Sequence, residues 1–352
     1  MRSHEPPADH ATPSETSARW RIAVSGLGRA GVGYAMAIAG HPGCELAGLI
    51  DSRGDRRAFM KGAGFKAPLE SSLGALVAKS APHAIVLCGS GSSRAADVTA
   101  AIAAGISVLA DGRLADRTAE ADALEGEIAR ARALVTCGSA VLLHPLFRRA
   151  GTWLADGALG PLVRVQTSAY VSRVFSAASR PTDRDVLDPM ADDALMLLDR
   201  FVGPATAGAV RAQALYGTGP DELHAELFLA HGATGSLDLS WCVPGYPRPA
   251  IVVEAEGSRG RLLASDDAIE LSLTEPFGQL GVGEHRVVDE GGPPRAPFEA
   301  GEPSAVLARF VDALNGDAAA MAELDPQRAL RVTRLREAIR AATPLVAARA
   351  TP

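Results

Sequence analysis

Lysine is almost missing from this chain. Three occur in 352 residues, Lys61, Lys66 and Lys79, so no lysine can act from any position beyond 79. Cysteine is sparse as well. Cys44, Cys88, Cys137 and Cys242 stand far apart and form no C-x-x-C, which excludes a zinc ribbon or a paired redox motif. They read as buried thiols in a reducing, cytoplasmic setting. No histidine pair has ligand spacing, so no metal site is expected. No apolar run is long enough to span a membrane. A basic stripe is also absent and the formal net charge is -6, which argues against a nucleic-acid partner.

What is present is a chain long enough for two domains of ordinary size. Its first residues, MRSHEPPADHATPSETSAR, are polar and proline-rich and lack the apolar core of a signal peptide. They are read as a disordered lead, 1–19. Order begins at Trp20. RIAVSGLGRAGVGYAMAIAG is a short apolar run, then glycines, then a helical apolar pattern. Gly26, Gly28 and Gly31 give G-x-G-x-x-G, and the next strand, CELAGLID, ends in Asp51. The first glycine permits a tight turn and the second lets backbone approach a pyrophosphate. The third lets helix and strand pack closely, while the acid accepts from a ribose diol. A glycine-rich turn with an empty pocket is the bland alternative. The expected cofactor contacts are Gly26, Leu27, Gly28, Arg29, Ala30, Gly31, Asp51, Ser52 and Arg53, with Gly89, Ser90 and Asp111 at later strand ends. Asp51 favours NAD, because a 2′-phosphate would meet a carboxylate. Arg53, Arg56 and Arg57 keep NADP open.

Apolar strands and helices go on alternating to about residue 140, which indicates βαβ units and a parallel sheet. After about residue 160 the pattern becomes strands separated by glycine turns, interrupted by the helix DPMADDALMLLDRFVG. The predicted class is therefore α/β followed by α+β. A Rossmann dinucleotide-binding domain covers 20–140. An α+β substrate and oligomerisation domain on a large, mostly antiparallel open sheet covers 141–342, and 343–352 is a tail. The closing helices are expected to pack back on the first domain. DEGGPPRAPFEAGEP reads as loop and Thr118 as a helix cap. An open sheet with an apolar face calls for cover, so a homo-oligomer through that sheet is expected.

In order and spacing, RIAVSGLGRAG, LGPLVRVQTS, GATGSLDLSWCVPG and EAEGSRGRLL resemble the Gfo/Idh/MocA family, the glucose-fructose oxidoreductase and inositol dehydrogenase type. The resemblance runs from about Arg21 to Ala342. It implies NAD(P)-dependent oxidation or reduction of sugars, polyols and related small molecules, by dimers or tetramers. It fails at the chemistry. Where the family has Glu-Lys-Pro, this chain has Asp111, Gly112 and Arg113, and Gly112 falls on the lysine. Arg94 falls near a histidine of the family. Counting back from Gly203 puts Asp193 near the histidine and Met196 near the aspartate of the family's second-domain helix.

The candidates that remain for proton transfer are Asp193, His144 and Asp111. Each has a plain structural alternative as a helix-start, pre-proline or turn residue. Arg113, Tyr170 and Arg173 are candidates for holding a small polar substrate, with anionic ones in range. Two functions stay open: a divergent oxidoreductase with a non-standard site, and a non-catalytic dinucleotide-binding sensor, scaffold or partner subunit.

Overall fold

The computed structural model describes residues 19–88, 94–172, 185–215, 219–230, 232–246, 249–288 and 303–344. The lead, Gly89, Ser90 and Arg173 lie outside the described residues, as do most of the DEGGPPRAPFEAGEP stretch and of the tail. The chain forms two compact units. One takes the chain up to Gly138 together with the segment ending at Pro326, and the other starts at Ser139 and resumes at Gln327.

In the first unit strands and helices alternate: β1 (Trp20–Ser25), α1 (Arg29–Gly40), β2 (Cys44–Ile50), α2 (Gly54–Gly62), β3 (Leu69–Glu70), α3 (Leu73–Ser80), β4 (Ala84–Leu87), α4 (Arg94–Ala103), β5 (Ser107–Asp111), α5 (Thr118–Arg130) and β6 (Val135–Gly138). All pairings are parallel and the order is β3-β2-β1-β4-β5-β6. Such strands are buried on both faces, and accordingly Ala84, Ile85, Val86 and Leu87 are all buried. The order reverses between β1 and β4, and that is where a crevice opens at the strand ends. Thr118 is the first residue of α5 rather than its cap, which is Arg117. The segment from Pro303 adds α9 (Pro303–Leu314) and α10 (Ala318–Glu323) to this unit.

The second unit begins with α6 (Ala140–Leu143), α7 (Pro145–Ala155), β7 (Leu162–Tyr170) and α8 (Leu187–Val202). Then come β8 (Ala205–Gln213), β9 (Glu222–Leu229), β10 (Thr234–Ser240), β11 (Ala250–Gly257), β12 (Gly260–Ser265), β13 (Ala268–Leu273) and β14 (Gly283–Val288), and α11 (Pro326–Ala342) closes the chain. The eight-stranded sheet runs β14-β13-β12-β11-β7-β10-β9-β8. It is antiparallel except between β7 and β10. Two short strands, β3 and β14, escaped the sequence reading, because one has only two residues and the other alternates without strong apolar character.

Each central strand alternates. Leu223, Ala225 and Leu227 of β9 and Leu237 and Leu239 of β10 are buried, and α8 packs against β7, β10 and β11. The other face is polar. Arg164 bridges Glu254 and Glu256, each at 2.9 Å. Gln166 donates to Asp238 at 3.0 Å, and His224 meets the same carboxylate at 2.7 Å. Phe228 of β9 adds an exposed aromatic ring to this face.

Candidate functional site

The glycine turn between β1 and α1 is built in two different ways. Gly26 has φ +87°, and a Cβ there would lie 2.1 Å from the Cys88 carbonyl oxygen. A Cβ on Gly31 would lie 2.0 Å from the Gly26 carbonyl oxygen. Both glycines are required by packing. Gly28 is not: its φ is -77°, and the nearest atom to an added Cβ is Arg56 Nη1 at 3.9 Å. The space above Gly28 is open cleft. That cleft, of about 430 Å³, is lined by Gly26, Gly28, Asp51, Arg56, Cys88 and Arg94, among others. It covers the ends of β1, β2 and β4.

Asp51 ties the turn to β2. Its Oδ2 accepts from the Leu27 N–H at 2.8 Å and from Arg56 at 3.2 Å, and its Oδ1 accepts from the Arg53 N–H at 2.8 Å. Burial works to raise its pKa. The Arg53 and Leu27 N–H groups and the Arg56 guanidinium outweigh that, and the carboxyl is held below the usual range. The neighbouring arginines divide the work. Arg53 pairs with Asp55 at 2.6 Å, Arg57 donates to the carbonyls of Asp51 and Ser52, and Arg56 lines the cleft. Leu27 is buried in the turn, Arg29 and Ala30 open α1, and Ser52 lines the cleft beside Asp51.

At the end of β5 the side chains take unexpected directions. The Tyr34 hydroxyl donates to Asp111 Oδ1 at 3.1 Å. Gly112 has φ +89° and donates its N–H to the Gly138 carbonyl at 2.9 Å. Arg113 pairs with Asp116 of its own loop at 3.2 Å. None of the three lines the cleft. The residue that does so is Arg94. It is buried to 8% exposure, and its Nη1 donates to the carbonyls of Asp111 and Arg113 at 2.8 and 2.7 Å. The sequence placed Arg94 near a histidine of the family without giving it a site role, yet a signal existed. Arg94, Val98 and Ala101 share the buried face of α4, so an arginine stands where the helical period calls for an apolar residue.

Burial pushes the Asp111 carboxyl above its ordinary range, and the Tyr34 hydrogen bond and the Arg94 charge only partly offset it. The unfolded chain therefore loses this proton at a lower pH than the folded one does. Between the ordinary value near ~3.9 and the raised folded value, stability must fall as pH rises. Asp111→Asn is expected to flatten that slope and to be at least as stable as wild type at neutral pH. Urea melts across that range measure it, and a slope that persists in the variant would refute the assignment.

In the second unit Ser139 donates to Asp193 Oδ1 at 2.7 Å. His144 is buried at the start of α7 with its ring 5.5 Å from that of Phe147. Met196 is buried in the core. Tyr170 lies against Tyr246, ring centroids 5.6 Å apart, in a groove on the polar sheet face shared with His224 and Asp238. Among the described residues no three His, Cys, Asp or Glu side chains are grouped to hold a metal ion, and no helix is long and apolar enough to cross a membrane.

No protein-family model matches this chain, and no curated protein matches it in sequence. Solved structures match its fold over nearly the whole length. An oxidoreductase from Agrobacterium radiobacter in complex with NAD+, L-tartaric acid and magnesium is similar at 16% identity and a TM-score of 0.78, over 92% of this chain and 96% of that one. The WlbA dehydrogenase from Bordetella pertussis, in complex with NADH and UDP-GlcNAcA, is similar at 19% identity and a TM-score of 0.75, over 92% and 95%. GenD2 from gentamicin A biosynthesis, in complex with NAD, is similar at 22% identity and a TM-score of 0.71, over 97% of each chain. The chain thus shares the fold of these structures, a parallel sheet followed by a large, mostly antiparallel open sheet.

Proposed function

We propose that this protein is a divergent NAD(P)-dependent oxidoreductase of the Gfo/Idh/MocA type, acting on a small polar substrate, with anionic ones in its range. The observation that carries the reading is the open space above Gly28, at a strand-end cleft with Asp51 on its rim. A glycine that packing does not demand, placed where a pyrophosphate would approach, is explained by a ligand. The tartrate and UDP-sugar acid bound by the two structural neighbours support an anionic substrate. The nicotinamide would supply or accept hydride at a carbonyl, imine or alcohol carbon.

In this reading Gly26 and Gly31 shape the turn, the start of α1 faces the phosphates, and Asp51 accepts from the ribose diol. The first unit serves the dinucleotide, and the second, to about residue 342, serves substrate and self-association through its sheet. Asp193, His144 and Asp111 are the proposed proton carriers, and Arg113, Tyr170 and Arg173 the proposed substrate contacts. The engagement of Asp111 with Tyr34 and the burial of Met196 favour the second reading, a dinucleotide-binding protein without hydride chemistry.

Calorimetry with NADH and NADPH separates the possibilities. NADH is expected to bind at least tenfold more tightly, about 1.4 kcal/mol, because Asp51 opposes a 2′-phosphate. If neither nucleotide binds at millimolar concentration, the oxidoreductase reading is wrong. Tight binding without NADH turnover on any carbonyl or 2-hydroxy acid tried would favour the non-catalytic reading.

A further inference from the structure

The loop after β5 has no lysine to offer, but the cleft is not without a cation at that end. Arg94 is the first residue of α4 and is more than nine-tenths buried. It lines the same cleft as Gly26, Gly28 and Asp51. Among the described residues its only hydrogen bonds go from Nη1 to the carbonyls of Asp111 and Arg113. Those carbonyls flank Gly112, whose φ of +89° makes the turn. The guanidinium has three further N–H bonds on Nε and Nη2, held in a fixed plane by the two carbonyls. A buried cation at a helix N-terminus is at the unfavourable end of the helix dipole. Both the cation and the dipole are stabilised by an anion in front of them.

We propose that Arg94 binds the second phosphate of the dinucleotide, the one on the nicotinamide side, and that the 111–113 turn serves to aim it. The proposal rests on the reading of this cleft as a dinucleotide site. Place in the sheet supports it. The turn of β1 serves one phosphate, and β4, which α4 follows, lies across the switch point from β2 and Asp51. Arginine donates no proton near neutrality, so its role is electrostatic and geometric, through bidentate contact with phosphate oxygens.

The test compares AMP, ADP and NADH by calorimetry on wild type, Arg94→Gln and Arg94→Lys. Wild type is expected to bind ADP more tightly than AMP. Arg94→Gln, whose amide can still donate to a carbonyl of the turn, is expected to lose that gain and to weaken NADH about tenfold. AMP should stay within about twofold of wild type, which a merely structural role of Arg94 would not predict. Arg94→Lys should keep most of the gain. Equal losses for AMP and ADP, or an ADP gain that survives in Arg94→Gln, would overturn the proposal. If wild type binds none of the three, the dinucleotide reading itself fails. A structure of the wild-type ADP complex decides independently of any variant: Arg94 within hydrogen-bond reach of the terminal phosphate supports the proposal, and Arg94 out of reach refutes it.

Discussion

Gly28→Leu is expected to weaken NAD(H) binding about 100-fold and leave the fold intact, whereas Gly31→Ala is expected to destabilise the fold by about 3 kcal/mol or more. The two glycines belong to one motif but meet different surroundings. The backbone of Gly28 is extended, φ -77° and ψ -166°, a conformation open to any residue, and an added side chain would enter the cleft. Nothing in the folded chain opposes that, so the thermal midpoint should move by no more than a few degrees. The cost falls on the ligand. A loss of about 100-fold in NADH affinity, or about 2.7 kcal/mol, is expected. At Gly31 the added methyl would lie 2.0 Å from the Gly26 carbonyl oxygen, a backbone atom of the turn itself. Relief requires α1 to move off β1, at a cost of about 3 kcal/mol or more. Thermal melts and NADH titrations of both variants check the contrast. A Gly28→Leu protein that binds NADH as wild type does would show that no dinucleotide lies over this turn.

The same contrast shows how far the sequence could be read. G-x-G-x-x-G after an apolar run, with Asp51 closing the next strand, located the cleft and the sheet that carries it. The two large layers were legible because their periods differ: β4 is apolar at every position, and β9 alternates apart from Phe228. Direction was not legible. Spacing placed Asp111, Gly112 and Arg113 at a strand end, but whether a side chain turns to ligand, helix or loop depends on neighbours distant in sequence. Tyr34, 77 positions away, takes the Asp111 carboxyl, and Arg94 takes the backbone on both sides of Gly112. The positive φ of Gly112 also gives a physical reason why a lysine would sit badly there. The polar outer face of the second sheet was hidden for a related reason. Alternation shows that one face is polar, but not that Arg164, Glu254 and Glu256 meet across strands and satisfy one another.

Asp199→Ala is expected to be among the most destabilising single changes in the second unit, although the residue touches no candidate ligand site. Asp199 lies on α8 with its carboxylate 8% exposed. Arg331 of α11 meets it with two parallel hydrogen bonds, Nε to Oδ1 at 2.8 Å and Nη2 to Oδ2 at 2.7 Å. Arg328, one turn earlier, places its Nε 3.5 Å from the same Oδ2 and is itself 10% exposed. Removing the carboxylate takes one ionic contact from the buried Arg328 guanidinium, and breaking a well-buried pair costs about 3–5 kcal/mol. Arg331 is about one-third exposed, so water screens its share, and the lower end of that range, about 3 kcal/mol, is expected. The double variant is the sharper case. Once Asp199 is gone, a buried Arg328 has lost the contact shown at 3.5 Å, so adding Arg328→Met, which keeps the length and removes the charge, should recover part of the loss. Arg328→Met alone should destabilise, because Asp199 then keeps only the half-screened Arg331. The two single losses should therefore exceed the loss in the double variant by about 1–3 kcal/mol. Urea midpoints for the four proteins, with NADH affinity measured alongside, settle it. Strict additivity would mean that the pair is no more than a surface contact, and an unchanged midpoint in Asp199→Ala would mean that α11 is held to α8 by its apolar side chains alone.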